Sequence, residues 1–281
     1  MNSQIQFTGQ PDGMNAQITH VPGFKNDLFQ LNYPEAIGPT DKPHYYTTIK
    51  CSWKELSNGD WKCTGKVEGI LEYTIDVKVY EDTVDFYQRL TNQSMETWSQ
   101  TMAFNCFNNG SAISVRDYEC IRHWVRTGGQ FRKLIELPRV FGPRPALQLY
   151  SVEGAPPGKD IPFVESFKST PENIYIEGWM AIRSRDNNHL VATVSKPALY
   201  IFQNREYSCI HSAPSFGALK PGESGSAFSR LYFVEANLED WYQRMKKELA
   251  VIDPAGGFLT NLSNRESVPR VNYSHNNISN V

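Results

Sequence analysis

From Leu71 the chain alternates strictly. Leu71, Tyr73, Ile75, Val77 and Val79 are apolar, and Glu72, Thr74, Asp76 and Lys78 between them are polar. A period of two sends successive side chains to opposite faces, so this stretch is a strand with one buried and one wetted face. Glu81-Asp82 turns the chain, and Val84, Phe86, Gln88 and Leu90 repeat the pattern. After Thr91-Asn92-Gln93-Ser94 a third strand is expected over 99–107, ending on Asn108-Asn109-Gly110. Consecutive strands joined by short turns form an antiparallel meander. A hairpin over 45–53 and 60–67 is expected around Asn58-Gly59. Further strands are expected at 17–21, 112–116, 121–127, 147–152, 173–180, 190–194, 198–202 and 226–234. Proline-rich 137–145 and 155–162 read as loops.

One helix is predicted, over 238–251. Asn237 serves as N-cap, and Leu238, Trp241, Tyr242, Met245 and Leu249 form an apolar stripe. More than ten strands cannot share one flat sheet without curling or pairing face to face. The predicted fold is therefore all-β: a large two-sheet antiparallel β-sandwich with one C-terminal helix. Residues 1–44 are expected as an extended segment packed on the body, 45–252 as a single sandwich domain, and 253–281 as a polar tail.

The 281 residues are 40% apolar, with a net charge of −2. No basic field points to nucleic acid, and no run of about 18 apolar residues points to a membrane span. The N-terminus MNSQIQFTGQ lacks the features of a secretion signal, which leaves the compartment open. The five cysteines, Cys51, Cys63, Cys106, Cys120 and Cys209, show no CxxC spacing and suggest no structural zinc site. Cys51 and Cys63 flank the hairpin turn and could face each other, either bridged or reduced.

The segment FYQRLTNQSMETWSQTMAFNCFNNGSA, 86–112, resembles the meander of galactose mutarotase-like β-supersandwiches. The later GALKPGES turn, followed by a long strand and a helix, is similar to the closing part of such domains. The resemblance spans about 70–235 and implies a carbohydrate-binding sandwich with its site on the concave face of one sheet. Epimerases of that family carry a histidine a few residues ahead of a Phe-Asn pair. Here Phe107-Asn108 is present, but Phe104 stands at the histidine position.

Two polar clusters are candidates for chemistry. The first, 200–224, is read as a polar connection between strands, bringing Asn204, Arg205, Glu206, Cys209, His211 and Ser212 together. The second is RDYECIRHWVR, 116–126, where alternation puts His123 on one face and Arg122, Trp124 and Arg126 on the other. Arginines beside a tryptophan suit an acidic sugar, through bidentate pairing with its carboxylate and stacking on its ring. His211 and His123, with Glu119, are the expected acid/base groups, because imidazole titrates near neutrality. Arg122, Arg126, Trp124, Trp179, Asn204 and Arg205 are the expected substrate-binding residues. Asp117, Glu177 and Glu206 complete the carboxylate candidates.

These residues predict a carbohydrate-active enzyme of the lyase or epimerase type, transferring protons on an oligosaccharide or uronic acid. The alternatives are a carbohydrate-binding protein without catalysis, and a metal-dependent sandwich or cupin-like enzyme using His123, His211 and Glu119 as ligands. No cofactor is expected under the first two readings.

Overall fold

A computed structural model describes residues 5–10 and 15–254; the predicted polar tail falls almost wholly outside them. The chain opens with β1 (Gln6–Gly9), β2 (Asn15–Thr19), β3 (Phe29–Pro39) and β4 (His44–Tyr45). It then crosses to a second sheet for β5 (Lys50–Glu55), β6 (Trp61–Val67), β7 (Leu71–Val79) and β8 (Thr83–Asn92). It returns for β9 (Trp98–Asn108), crosses again for β10 (His123–Thr127) and β11 (Gln130–Lys133), and comes back for β12 (Leu147–Val152). A single helical turn, α1 (Pro162–Glu165), precedes β13 (Tyr175–Ile176). Then follow β14 (Trp179–Arg183), β15 (His189–Lys196), β16 (Ala198–Asn204), β17 (Cys209–Leu219), β18 (Ser224–Glu235) and helix α2 (Leu238–Ala250).

The first sheet runs β1-β2-β3-β9-β17-β16-β12-β13, with β4 on β3; the second runs β11-β10-β14-β15-β18-β8-β7-β6-β5. Every strand pairing is antiparallel except the short β12–β13 contact. The expected two-layer antiparallel sandwich with one terminal helix is the observed architecture. No helix among the described residues is long and apolar enough to cross a membrane.

Apolar side chains from both inner faces interlock. The Phe29 ring lies 5.6 Å from that of Phe107 and 5.0 Å from that of Phe233. Within this core runs a buried polar seam. Gln88 Oε1 accepts from Tyr73 Oη (2.7 Å) and Asn105 Nδ2 (3.0 Å), and Gln88 Nε2 donates to Ser229 Oγ (2.9 Å). Ser195 extends it to Ser212 and Ser229, each at 2.8 Å. The seam joins strands of both sheets, and pairing of this kind is what lets polar groups sit inside a core.

Both outer faces are also covered in part. On the second sheet, α2 lays Trp241, Tyr242 and Met245 against Trp179, Ala192 and Tyr232. Its N-cap forms as predicted, with Asn237 Oδ1 accepting from Asp240 N at 2.9 Å. The helix is pinned by charge: Arg230 pairs with buried Asp85 (2.5 and 2.7 Å) and with Glu248 (2.7 Å). On the first sheet, Phe163 and Val164 of α1 pack over Phe104, Tyr200 and Phe202.

Several sequence expectations differ from the structure, among them the single strand expected over 173–180, which is split between β13 of the first sheet and β14 of the second. Within the segment 1–44, expected as an extended stretch on the body, Gln6–Gly9, Asn15–Thr19 and Phe29–Pro39 are strands β1, β2 and β3 of the first sheet. Residues 112–116 are turns rather than a strand. The stretch after Tyr207 is not a connection: Cys209–Leu219 is an 11-residue strand between β9 and β16. Its first eight residues are all buried. A strand covered on both faces has no polar side to alternate with, so the period-two signal vanishes. All five cysteines are unbridged, Cys51 and Cys63 included.

Candidate functional site

Three central strands of the first sheet and the neighbouring β16 build the site. Phe202 on β16 pairs with His211 on β17, which pairs with Cys106 on β9, and β3 lies on the far side of β9. The ladder between β3 and β9 shifts register between Asn32 and Ala36, and Glu35 sits in that irregular stretch. Bulges of this kind re-aim a side chain. Glu35 here reaches the outer face, where its carboxylate accepts from His211 Nε2 at 3.1 Å.

The surroundings of the two partners differ. His211 is 2% exposed. Its imidazole lies flat on Phe104, at 4.6 Å between centroids and 8° between planes, and tilts against Phe202, also at 4.6 Å. Phe104 thus serves as a flat bed for the His211 imidazole. His211 Nδ1 has no hydrogen-bond partner. Glu35 keeps 31% of its side chain in solvent. Burial pushes the Glu35 carboxyl up, but the hydrogen bond and charge of His211 and the nearby Arg144 outweigh this and hold it below its usual value.

Polar and aromatic groups rim the pair. Arg144 bonds to Glu206 at 2.8 Å. Tyr45, on β4, and Tyr46 are exposed, and the Tyr46 backbone N–H donates to the Glu35 carbonyl at 3.0 Å. The Glu35 charge, after burial, helps raise the Tyr45 phenol. A groove of about 710 Å³ lies elsewhere, at the β5–β7 edge of the second sheet, beside Lys50, Lys66 and Glu72. No residue expected from the sequence lines it.

The expected residues separate into three places. His211 and Asn204 sit at the first sheet, where Asn204 Oδ1 accepts from Glu206 N at 2.9 Å. Arg205 stands in the adjoining turn and is held by the Tyr118 carbonyl (2.7 Å) and by exposed Glu119. His123 is elsewhere. It lies on β10 of the second sheet, fully buried, with Nδ1 donating to Asp117 at 2.9 Å. It cannot exchange protons with His211 at a common opening. Arg122 spends its guanidinium on the backbone carbonyls of Arg183 and Arg116, both at 2.6 Å. Arg126 is taken by Glu177 (2.6 Å) and Tyr242 (3.0 Å) under α2. Trp124 shares that face, beneath the Lys133 ammonium at 5.6 Å. Trp179 is core: it is 1% exposed, donates to Glu177 at 2.9 Å and packs on Trp241.

Glu35, Arg144 and Tyr45 escaped the sequence reading. Glu35 stands between Pro34 and Ala36 in a stretch without periodicity, so nothing marked it as facing a histidine 176 residues away. The expected metal set of His123, His211 and Glu119 does not assemble. Among the described residues, the cluster able to hold an ion is Cys106, Cys209 and His211.

Fold and site together define a two-sheet antiparallel sandwich with a hydrogen-bonded glutamate–histidine pair on the outer face of its first sheet. No family model and no curated protein matches the sequence. By structure, the chain is similar to a galactose mutarotase related enzyme from Lactobacillus acidophilus: 8% identity and TM-score 0.44, covering 83% of this chain and 98% of that one. It is also similar to a galactose mutarotase-like protein from Clostridium acetobutylicum (10% identity, TM-score 0.41, 84% and 100% covered). A galactose mutarotase-like protein from Lactobacillus casei gives 10% identity and TM-score 0.41, with 82% and 100% covered. At these identities the likeness concerns architecture and assigns no residue.

Proposed function

We propose that this protein is a carbohydrate-active enzyme of epimerase or lyase type, with Glu35 as the group that takes and returns a proton on a sugar or uronic acid. The observation that carries this reading is the division of labour in the Glu35–His211 pair. The carboxylate is partly open to solvent, and the imidazole is sealed behind it. A group that exchanges protons with a substrate must be reachable, whereas the group that orients it need not be. His211 is thus a positioning residue, and Glu35 takes the role expected for the two histidines. Arg144 supplies a cation beside Glu35 for a carboxylate or ring hydroxyl, and the Tyr45 and Tyr46 rings offer faces on which a sugar can stack.

The test is a panel of aldoses followed by anomer exchange in NMR, and a panel of polyuronides followed by absorbance of the unsaturated product. Glu35→Gln should lower turnover by about 10²–10⁴-fold, the usual worth of a positioned base, with an unchanged circular dichroism spectrum. Turnover retained in Glu35→Gln overturns the assignment.

The tyrosine pair favours a second reading, a glycan-binding surface without catalysis. Calorimetry would then show saturable binding that Tyr45→Ala abolishes and Glu35→Gln spares, with no turnover in either panel.

A further inference from the structure

Behind the Glu35–His211 pair the first sheet buries two thiols. Cys106 faces His211 directly across the β9–β17 ladder, and Cys209 lies one diagonal step along the same strand. Both cysteines and the histidine are at most 4% exposed. The two sulfurs and one nitrogen of His211 all lie within 4.8 Å of one another. The neighbouring Cys209, burial and Glu35 push the Cys106 thiol up, and Cys209 Sγ donates to the Tyr207 carbonyl at 3.8 Å.

The tautomer of His211 sharpens the picture. With Nε2 donating its hydrogen bond to the Glu35 carboxylate, the neutral imidazole that a metal would bind carries its lone pair on Nδ1. That lone pair is buried and without a hydrogen-bond partner. A buried polar atom left without a partner is destabilising unless something occupies it. A carboxylate on one imidazole nitrogen is also the arrangement that orients a histidine toward a metal through the other.

We propose that Cys106, Cys209 and His211 form a binding site for a thiophilic divalent cation, with zinc as the fitting ion and Glu35 as the carboxylate that holds His211 in register. Binding releases two thiol protons: one M²⁺ replaces two S–H hydrogens, and the resulting two thiolates and ion are together neutral. A neutral product suits a buried position, where an unbalanced charge is expensive. Zinc–sulfur bonds of about 2.3 Å and zinc–nitrogen bonds of about 2.0–2.1 Å require ligand atoms about 3.5–3.8 Å apart in a tetrahedron. The three ligand atoms already lie within 4.8 Å of one another, so closing to that spacing calls for side-chain rotation and no strand movement. The site lies on the protein side of Glu35 and does not rest on the sugar reading, since the metal would brace the residue that holds the base.

The experiment is titration of the reduced, metal-stripped full chain with Co²⁺ alone, followed by displacement with Zn²⁺. The expected result is one equivalent of Co²⁺ with a thiolate-to-cobalt charge-transfer band and the intense visible bands of a tetrahedral site, all bleached by Zn²⁺. Cys106→Ser and Cys209→Ser should each remove the charge-transfer signature or halve it. Glu35→Gln should weaken affinity by about 10–100-fold, as loss of an orienting partner does. If the serine variants do not fold, the wild-type chain still decides: Zn²⁺ should raise its melting temperature and protect two thiols from a thiol reagent. Failure of Co²⁺ to give a thiolate band, with all thiols equally reactive with and without Zn²⁺, overturns the proposal. So does a Cys106–Cys209 disulfide that, once reduced, still binds no metal. Sugar turnover enters none of these readouts, so either proposal can fail alone.

Discussion

Gln88→Leu tests whether the polar seam holds the two sheets in register. Gln88 is fully buried, and its Oε1 is the recorded acceptor for both Tyr73 Oη and Asn105 Nδ2. Leucine has a similar volume and no polar atom, so both donors lose their partner where water cannot replace it. Ser229 is less affected, because its hydroxyl still meets Ser195. Two orphaned buried groups at about 1–3 kcal/mol each give a loss of about 2–6 kcal/mol. Against a total stability of about 5–15 kcal/mol this is a large fraction.

Urea unfolding followed by tryptophan fluorescence reads the loss as a lower midpoint at unchanged slope. Gln88→Glu adds a second arm, since a protonated carboxyl nearly reproduces the amide. Burial raises the folded pKa of that carboxyl above its unfolded value of about 4.3. The variant's extra stability is therefore present below that pH and is lost as pH rises, at up to about 1.4 kcal/mol per pH unit. A Gln88→Leu unfolding free energy within about 0.5 kcal/mol of wild type, the range of neutral surface changes, would refute the reasoning.

Further outcomes follow from the same geometry. Arg230→Met leaves Asp85, 1% exposed, as an unpaired buried carboxylate beneath α2, and should cost about 3–5 kcal/mol in the same unfolding assay. His123 has its pKa lowered by burial, against the opposing pull of Asp117. Its folded pKa lies below the unfolded value of about 6.5, so its contribution is complete above that pH and is lost as pH falls. His123→Asn, which keeps a donor for Asp117, should flatten the fall in stability measured between pH 6.5 and 5. Cys120→Ser, by contrast, should leave Co²⁺ binding at the β9–β17 thiols unchanged, because Cys120 lies outside that cluster.

The two-layer fold was legible because most second-sheet strands keep one wetted face. β7 shows Leu71, Tyr73, Ile75 and Val77 buried and Glu72 exposed, the alternation read from the sequence. The helix was legible because its cap and stripe are local. The site was not, for two physical reasons. β17 is covered on both sides, which erases alternation and made its polar residues resemble a connecting segment. Glu35 acquires meaning only through register, since β3 reaches β17 by way of β9 and no local signal encodes that pairing. The RDYECIRHWVR cluster misled for a related reason. Its charges are real, but Arg122, Arg126 and Trp124 are consumed by backbone carbonyls, Glu177, Tyr242 and Lys133. Composition reveals that charges cluster; only packing shows what they face.

The central claim is that the working surface of this sandwich is the outer face of the first sheet at Glu35, and not the Trp124–Arg126 face of the second. Anomer-exchange and polyuronide assays on Glu35→Gln and Trp124→Ala, both checked for a native circular dichroism spectrum, put the two faces in direct competition. The account predicts that Glu35→Gln loses turnover and Trp124→Ala retains it. Turnover lost in Trp124→Ala and kept in Glu35→Gln would contradict it.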